Sequence, residues 1–410
     1  MNRTRFYHGW WVLLVAGGAH GFTTGTLTYS YSVIASPIST ELNTPRMQIM
    51  LGMTLYMFIA AIIAPLAGRL LDHWQTRWFM TLGALCLAAG MFALSGTHSL
   101  WMFFVIFALL MAPAKIILGP MCSTALASRW FSRLRGRAMG LVALGTSIGG
   151  LLLPPLIQGL IDGLGWRSAF VVYAGITLVV TLPPVLWIIH NRPQDVELQP
   201  DGDSAFSAPP PASSAMGDVG LKQLARLPAF WSIAIAAGSM IVVYNALLSN
   251  MMPLLTDMAF TPARAAQLIS LLSLAGIVGK LCFGYLADVL PLKIAMWCAQ
   301  ALLIVSMLTL AQEPPPSLLT LTVIAIGFAA GGLLPVWGGL VAAVFGTVHY
   351  GGVMGAMSTV TMLMSMVAPP LTGLAYDSTG SYSIAFNACA LLLLAGALLL
   401  VGLRVPHGDR

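Results

Sequence analysis

Twelve long apolar segments constrain the fold of this chain more than any other feature. A helix needs about 20 mostly apolar residues to cross a hydrocarbon layer about 30 Å thick. Only 8% of the 410 residues are charged and 58% are hydrophobic, whereas soluble domains carry about 25% charged residues. So many long apolar segments exclude a large soluble enzyme with buried helices, and they predict an all-α integral membrane protein. The segments lie near residues 10–36, 47–71, 78–96, 101–127, 137–160, 166–189, 228–252, 264–287, 292–312, 317–345, 351–374 and 382–403.

Lysine and arginine are distributed unevenly between the two sides of the predicted bundle. With the N-terminus inside, 14 of the 19 basic residues fall on the cytoplasmic side and three on the other. Because cytoplasmic loops of membrane proteins are enriched in basic residues, we expect both termini to be cytoplasmic and the chain to lie in the plasma (inner) membrane. The net charge of +6 then reflects topology, and no basic patch interleaved with aromatic residues indicates a nucleic-acid partner.

Two parts of the chain repeat each other. "GRLLD" at 68–72 recurs as "GYLAD" at 284–288, and "AMGLVALGTSIGGLLLPPLIQGLID" at 138–162 recurs as "VMGAMSTVTMLMSMVAPPLTGLAYD" at 353–377. Between the repeats lies a polar segment rich in Pro, Ser and Ala, which is typical of a linker. The sequence predicts a six-helix bundle at 1–189, a cytoplasmic linker at 190–227 and a six-helix bundle at 228–410. Parallel repeats of this kind are typical of transporters that bind their substrate near the membrane midplane.

The repeated pentapeptide belongs to a longer loop pattern. Gly68, Leu70 and Asp72, with Arg77 downstream, match the signature G-x-L-x-D-x-x-G-R-[KR], although Gln75 stands where a glycine is usual. The second copy keeps Gly284, Leu286, Asp288 and Lys293. On these residues the chain resembles the major facilitator superfamily over its whole length. "YHGWWVLLVAGGAHG" and the W-F-x(3)-R-G-x-A-x-G pattern in "SRWFSRLRGRAMG" resemble its monocarboxylate transporter and oxalate:formate antiporter branch.

The resemblance implies a conformational latch at the cytoplasmic ends of the helices. A carboxylate at a helix end can pair with arginines and with the positive N-terminus of another helix, and glycine permits close backbone approach. Ordinary anchoring by basic residues does not explain why the aspartate is repeated. The predicted latch residues are Gly68, Asp72, Arg77, Arg137, Gly284 and Asp288.

Two lysines interrupt apolar segments far from any helix end. Lys115 lies in "LLMAPAKIILGP", and Lys280 lies eight residues before Asp288, about 12 Å along a helix. A cation at mid-membrane costs about 2.5–3.5 kcal/mol. All 13 acidic residues fall in loops or at helix ends, so we expect an anionic substrate to compensate both lysines. The resemblance agrees for Lys280, because members of the branch carry a basic residue on the eighth helix that binds the substrate carboxylate. An acidic residue often precedes it by one turn, where this chain has Gly276.

Four further residues are candidates for contact with the substrate. His20 is a hydrogen-bond donor or titratable group unless it is a packed polar residue of the first helix. The other three are Tyr29, Asn245 and Trp337, each of which also fits an ordinary place in the core. The five cysteines show no metal-ligand spacing, so we expect no cofactor.

The leading hypothesis is a secondary active transporter of a small organic anion, a mono- or dicarboxylate, that works by alternating access. Without a G-x(4)-G-K-[ST] nucleotide signature, a gradient is expected to drive it, by proton symport or by anion exchange. One alternative is efflux of drug-like or amphipathic compounds by the same fold. A transporter-like ligand sensor is the alternative from another class. We do not expect an enzyme, since no nucleophile and base are paired in the sequence, and we expect the chain to act as a monomer.

Overall fold

The computed structural model describes residues 7–44, 46–202, 221–258, 260, 262–403 and 405, and within these ranges the chain is helical without strands. The long helices are α1 (His8–Thr24, Gly25–Tyr29 and Tyr31–Glu41), α2 (Arg46–His73), α3 (Thr76–Ser95), α4 (Leu100–Ile106, Phe107–Met111, Ala112–Leu118 and Pro120–Trp130), α5 (Arg135–Leu164), α6 (Trp166–Ile188), α7 (Pro228–Asp257), α8 (Pro262–Val289), α9 (Leu292–Leu310), α10 (Pro316–Gly331 and Leu333–Phe345), α11 (Tyr350–Thr379) and α12 (Ser383–Leu399). Short helical turns at Pro193–Val196, Pro200–Gly202 and Leu221–Leu224 lie between α6 and α7 in the chain.

The helices confirm the predicted all-α membrane class. Among the described residues, ten helices are long and apolar enough to cross a membrane. The two remaining predicted segments are also helical: α1 is interrupted, and α12 is an apolar helix of 17 residues. Within the part of the chain that the structure describes, each of the twelve predicted apolar segments is therefore mostly helical.

Irregular turns interrupt α1 and α4. In α1 the turn Gly25–Tyr29 is π-helical, and the Ser30 N–H donates to the Gly25 carbonyl at 2.9 Å. In α4 a π-helical turn covers Phe107–Met111, and the helix breaks again at Gly119. The second break is expected because Pro120 has no N–H to continue the ladder. Single π-helical turns inside α-helices are rare in proteins, and those that occur are often at functional sites.

By contact density the chain divides into two compact units. The first contains Met1–Leu134, Leu141–Ala215 and Thr347–Ala356. Within it α3 packs along α6, and α1 approaches α5 through glycines. A Cβ on Gly17 would lie 3.1 Å from the Val142 Cα, and a Cβ on Gly21 would overlap the Gly145 carbonyl. Small residues let these backbones touch, which is how helices gain packing energy inside a membrane.

The second unit contains Arg135–Gly140, Met216–Gly346 and Met357–Arg410. Within it α8 packs along α10, and a Cβ on Gly331 would lie 2.6 Å from the Gly276 carbonyl oxygen. Between α7 and α11 an apolar cluster of Val242, Ala246 and Ala368 is accompanied by two hydrogen bonds. Asn245 Nδ2 donates to Ser365 Oγ at 2.5 Å, and Asn250 Nδ2 donates to Thr372 Oγ1 at 2.6 Å.

The predicted linker is ordered where it follows α6. His190 accepts a hydrogen bond from the Trp130 indole through its carbonyl at 3.0 Å, and Asn191 Oδ1 accepts the Thr76 N–H. Asp201 accepts the backbone N–H groups of residues 132–134, at 2.7–3.2 Å. This polar segment therefore docks on the ends of neighbouring helices instead of packing a core of its own. Residues 203–220 of the predicted linker lie outside the described residues.

Candidate functional site

Lys115 lies in α4, one turn after the π-helical segment Phe107–Met111, and is partly buried. Its Nζ donates to Thr28 Oγ1 of α1 at 2.9 Å. Among the described residues, Thr28 is the hydrogen-bond partner of the Lys115 ammonium group, and no carboxylate forms an ion pair with Lys115. The ammonium group thus has a neutral hydroxyl as its neighbour.

His20, two turns before Thr28 in α1, also contacts α4. The side chain is 4% exposed, and its Nδ1 lies 3.2 Å from Ser123 Oγ of α4. The two contacts, His20 with Ser123 and Thr28 with Lys115, are eight residues apart on each helix, which is the register of antiparallel neighbours about 12 Å apart along the axis. Both polar contacts therefore lie between one face of α1 and one face of α4.

Tyr29 follows Thr28 but packs in another direction. Its ring lies against α5, where a Cβ on Gly150 would be 2.9 Å from the ring, and the side chain is 37% exposed. Sequence reasoning selected Tyr29 from this turn and missed Thr28, which is the residue that contacts Lys115. A threonine in an apolar segment gives no signal of its own, because most such hydroxyls bond to their own helix.

Lys280 lies near the middle of α8 in the second unit. Its backbone touches two glycines: a Cβ on Gly140 or on Gly331 would lie 2.6 Å from the Lys280 carbonyl oxygen or nitrogen, respectively. Lys280 interacts with another group of the protein. The expectation that both lysines lack a partner within the protein is therefore wrong for Lys280.

The other two candidates of the second unit differ in how their polar atoms are satisfied. Asn245 of α7 is hydrogen-bonded to Ser365 of α11. Trp337 of α10 is 4% exposed, and within the described ranges its indole N–H has no hydrogen-bond partner. A buried donor without a partner is destabilising by about 1–3 kcal/mol, so Trp337 has a free donor to offer a bound molecule.

In the first unit the aspartate of the loop signature binds the start of α11. Asp72 accepts the N–H groups of Gly351 and Gly352 at 2.9 and 2.7 Å. Gly68, one turn earlier, touches the Gly351 carbonyl so closely that a Cβ would overlap it. The carboxylate is thus held at the positive end of a helix, and Gly68 makes that approach possible.

The arginine beside Asp72 is not the one that the sequence suggested. Arg129 of α4 approaches Asp72 at 3.7 Å, and both side chains are at least 92% buried, with exposed fractions of 8% and 7%. Arg77 instead donates to the Leu186 carbonyl at 3.5 Å and stacks over the Trp78 ring. Arg129 was counted in the sequence only as one of the cytoplasmic basic residues.

In the second unit the repeated aspartate binds the start of α5. Asp288 accepts the N–H groups of Gly136 and Arg137 at 2.5 and 3.0 Å, and Arg137 Nε lies 3.5 Å from the same carboxylate. The Arg137 guanidinium also covers the Tyr285 ring at 4.6 Å. A Cβ on Gly284 would lie 3.0 Å from the Gly136 carbonyl oxygen, so this glycine also permits close helix contact.

Comparison with known proteins agrees with this architecture. A family model described as Major Facilitator Superfamily matches residues 13–311 and 251–410. Monocarboxylate transporter 13 of Bos taurus is 25% identical over 406 residues, which cover 97% of this chain and 89% of the relative. Monocarboxylate transporter 11 of Mus musculus is 26% identical over 412 residues, which cover 96% and 87%.

Solved structures show the same fold. The crystal structure of the human organic anion transporter MFSD10 (TETRAN) has a TM-score of 0.73 at 17% identity and covers 96% of this chain and 99% of its own. A bacterial homologue of the iron transporter ferroportin in an outward-facing state has a TM-score of 0.69 at 14% identity, covering 97% and 99%. The chain is a multi-pass membrane transporter that belongs to the Major Facilitator Superfamily and is related to the monocarboxylate transporters.

Proposed function

We propose that this protein is a secondary active transporter of a small organic anion, a mono- or dicarboxylate, working by alternating access. The observation that carries the proposal is Lys115, a partly buried cation of a membrane-spanning helix that has a threonine hydroxyl, and no carboxylate, beside it among the described residues. The relatives named monocarboxylate transporters support the same substrate class.

The energetics of Lys115 favour an anion from outside the protein. A cation at this depth costs about 2.5–3.5 kcal/mol, and a hydrogen bond from a charged group returns about 1.5–3 kcal/mol at best. A carboxylate within hydrogen-bond distance of Nζ forms a stronger, charge-assisted pair. A bound substrate anion therefore stabilises this region, and an uncharged analogue does not.

In this proposal Lys280 is the second cation that binds the substrate, as the resemblance of α8 implies. His20, Tyr29, Asn245 and Trp337 are the neutral contacts, and Trp337 supplies a buried donor that needs a partner.

The bonds of Asp72 and Asp288 to the starts of α11 and α5 are the latch, and they break when α11 leaves α2 and α5 leaves α8 during transport. The two six-helix bundles divided by the linker at 190–227, the monomeric state, the plasma (inner) membrane location and cytoplasmic termini belong to the same proposal.

Uptake into proteoliposomes tests the substrate class. We expect labelled mono- or dicarboxylates to enter, and the corresponding amides or alcohols to be excluded. An inward proton gradient stimulates uptake if the mechanism is proton symport, whereas a second carboxylate inside the vesicles stimulates it if the mechanism is exchange. Uptake of amphipathic drugs in preference to every carboxylate would overturn the proposal.

Lys115→Gln tests the residue that carries the proposal. We expect the KM for the carboxylate to rise at least tenfold, about the loss of one charge-assisted hydrogen bond. The matched control is Lys293→Gln, because Lys293 lies at the start of α9 and donates to the carbonyl groups of Val401 and Leu403. The control should keep its KM within about twofold. An unchanged KM in Lys115→Gln would contradict the proposed role.

A further inference from the structure

The hydroxyl that contacts Lys115 belongs to a longer chain of hydrogen bonds in the first unit. Lys115 Nζ donates to Thr28 Oγ1 at 2.9 Å. The side chain of Thr28 also lies beside the Tyr56 hydroxyl. Tyr56, from α2, is fully buried, and its hydroxyl donates to the Leu27 carbonyl at 3.1 Å. Four groups from α1, α2 and α4 are thereby connected in series.

The chemistry of the groups gives this series one direction. The Leu27 carbonyl can only accept, so the single proton of the Tyr56 hydroxyl points to it. Tyr56 Oη is then left as an acceptor for the single Thr28 proton. The Thr28 oxygen therefore faces Lys115 as an acceptor. An ammonium group has only donors, so every group in the series has its partner in the required sense.

The π-helical turn Gly25–Tyr29 places this series. Leu27 and Thr28 are consecutive residues of that turn, and one contributes its carbonyl and the other its side chain. In a regular helix a carbonyl is occupied by the N–H four residues later, whereas in this turn the Ser30 N–H reaches Gly25, five residues back. The altered ladder brings a backbone acceptor and a hydroxyl together opposite α2 and α4.

We infer that Thr28 is a positioning residue for transport: supported by Tyr56 and the Leu27 carbonyl, it fixes the Lys115 ammonium group so that two of its three N–H bonds serve the substrate. An ammonium group held by one bond presents two donors in a defined geometry, which matches the two oxygens of a carboxylate. Selectivity for a two-oxygen anion over an anion with one acceptor atom follows from this arrangement. The inference rests on the proposed function, because it assigns Thr28 its effect through Lys115.

Thr28→Val removes the hydroxyl and keeps the shape of the side chain. We expect it to raise the KM for a monocarboxylate about tenfold, the effect of one hydrogen bond to a charged group, with Vmax within about twofold. Thr28→Ser restores the hydroxyl and should return the KM to within about threefold of the parent protein. Tyr56→Phe leaves the Thr28 proton without its acceptor and should raise the KM less than Thr28→Val does.

Thr26→Val is the matched control. Thr26 lies in the same π-helical turn and its hydroxyl also faces a tyrosine, Tyr173, at 2.5 Å, but its hydrogen bonds are to Tyr173 and the Phe22 carbonyl and not to a lysine. A generic effect of losing a buried hydroxyl would appear in both variants. We expect Thr26→Val to keep its KM within about twofold, and an equal rise in the two variants would overturn the inference.

The double variant Lys115→Gln with Thr28→Val separates the inference from the proposed function. If Thr28 acts through Lys115, the double variant has the KM of Lys115→Gln alone. A raised KM in Lys115→Gln with an unchanged KM in Thr28→Val overturns the inference and leaves the proposed function standing. An unchanged KM in Lys115→Gln overturns both. Should Thr28→Val fail to reach the membrane, Tyr56→Phe in the two Lys115 backgrounds gives the same comparison.

Discussion

The starts of α5 and α11 occupy equivalent places in the two sequence repeats, yet the protein holds them with different partners. At α11, Asp72 accepts two backbone N–H groups and pairs with the buried Arg129. At α5, Asp288 accepts two backbone N–H groups and pairs with Arg137, whose side chain is 43% exposed. The repeated carboxylate and its helix end are shared, and the arginine is not.

A second carboxylate adds to the difference. Asp201, in the segment predicted as a linker, accepts the three backbone N–H groups that precede α5. The start of α5 is thus bound by Asp201 as well as by Asp288. The comparison shows that both repeats contain the bond between an aspartate and a helix N-terminus. The additional partners differ between the copies: Arg129 at α11, and Arg137 and Asp201 at α5.

Asp72→Asn should have the largest effect. It removes the charge that faces Arg129 and leaves a guanidinium buried without its partner, a change of about 3 kcal/mol in the free energy of unfolding. Denaturant titration in detergent micelles measures this loss. The control is Asp162→Asn, because Asp162 is an exposed carboxylate near the other end of α5 that accepts a hydrogen bond from Gln158. A loss no larger than that of the control would show that the buried pair contributes nothing.

Arg129→Gln and Arg137→Gln compare the two arginines directly. We expect about 2 kcal/mol for Arg129, because the buried Asp72 keeps only its backbone donors, and under about 0.5 kcal/mol for Arg137, because an exposed ion pair contributes little. The same titration provides both values. In the Asp72→Asn background the effect of Arg129→Gln should shrink or reverse, since residues in contact are not additive. Equal losses for the two arginines would contradict the distinction between the buried Asp72–Arg129 pair and the more exposed Asp288–Arg137 pair.

Asp288→Asn and Asp201→Asn should each lower the free energy of unfolding by about 1 kcal/mol, the smallest effect among the aspartate variants, because each leaves the other carboxylate on the start of α5. The double variant should lose more than the two single losses combined, because nothing then replaces either acceptor. Hydrogen exchange of the amides of residues 132–137, measured by mass spectrometry, localises the change. Additive losses with unchanged exchange at those amides would mean that the two carboxylates act independently.

Much of the fold could be predicted from the sequence because a membrane helix is specified by the length of an apolar segment. The similar pentapeptides "GRLLD" and "GYLAD" also located the two carboxylates. They stand at the ends of two equivalent helices, α2 and α8, and this repetition implies that each aspartate binds a similar structural element. Lys115 and Lys280 were conspicuous because a charge inside an apolar segment is rare.

The partners of these residues could not be predicted, because they depend on how helices pack. Arg77 and Arg129 are both basic residues near the ends of helices, and only the packing of α4 beside α2 brings Arg129 to Asp72. Thr28 and Tyr56 were missed for a similar reason: hydroxyls in apolar segments are common, and a π-helical turn has no recognised sequence signal. The interaction of Lys280 within the protein likewise could not be predicted from the sequence.

The most direct test of the account is the preference for a carboxylate over its uncharged amide, measured as the ratio of their competition constants against labelled carboxylate uptake. The parent protein should prefer the carboxylate, and Lys115→Gln should reduce that preference at least tenfold while Lys293→Gln leaves it unchanged. A preference that is the same in Lys115→Gln as in the parent protein would contradict the claim that this buried cation binds the substrate anion.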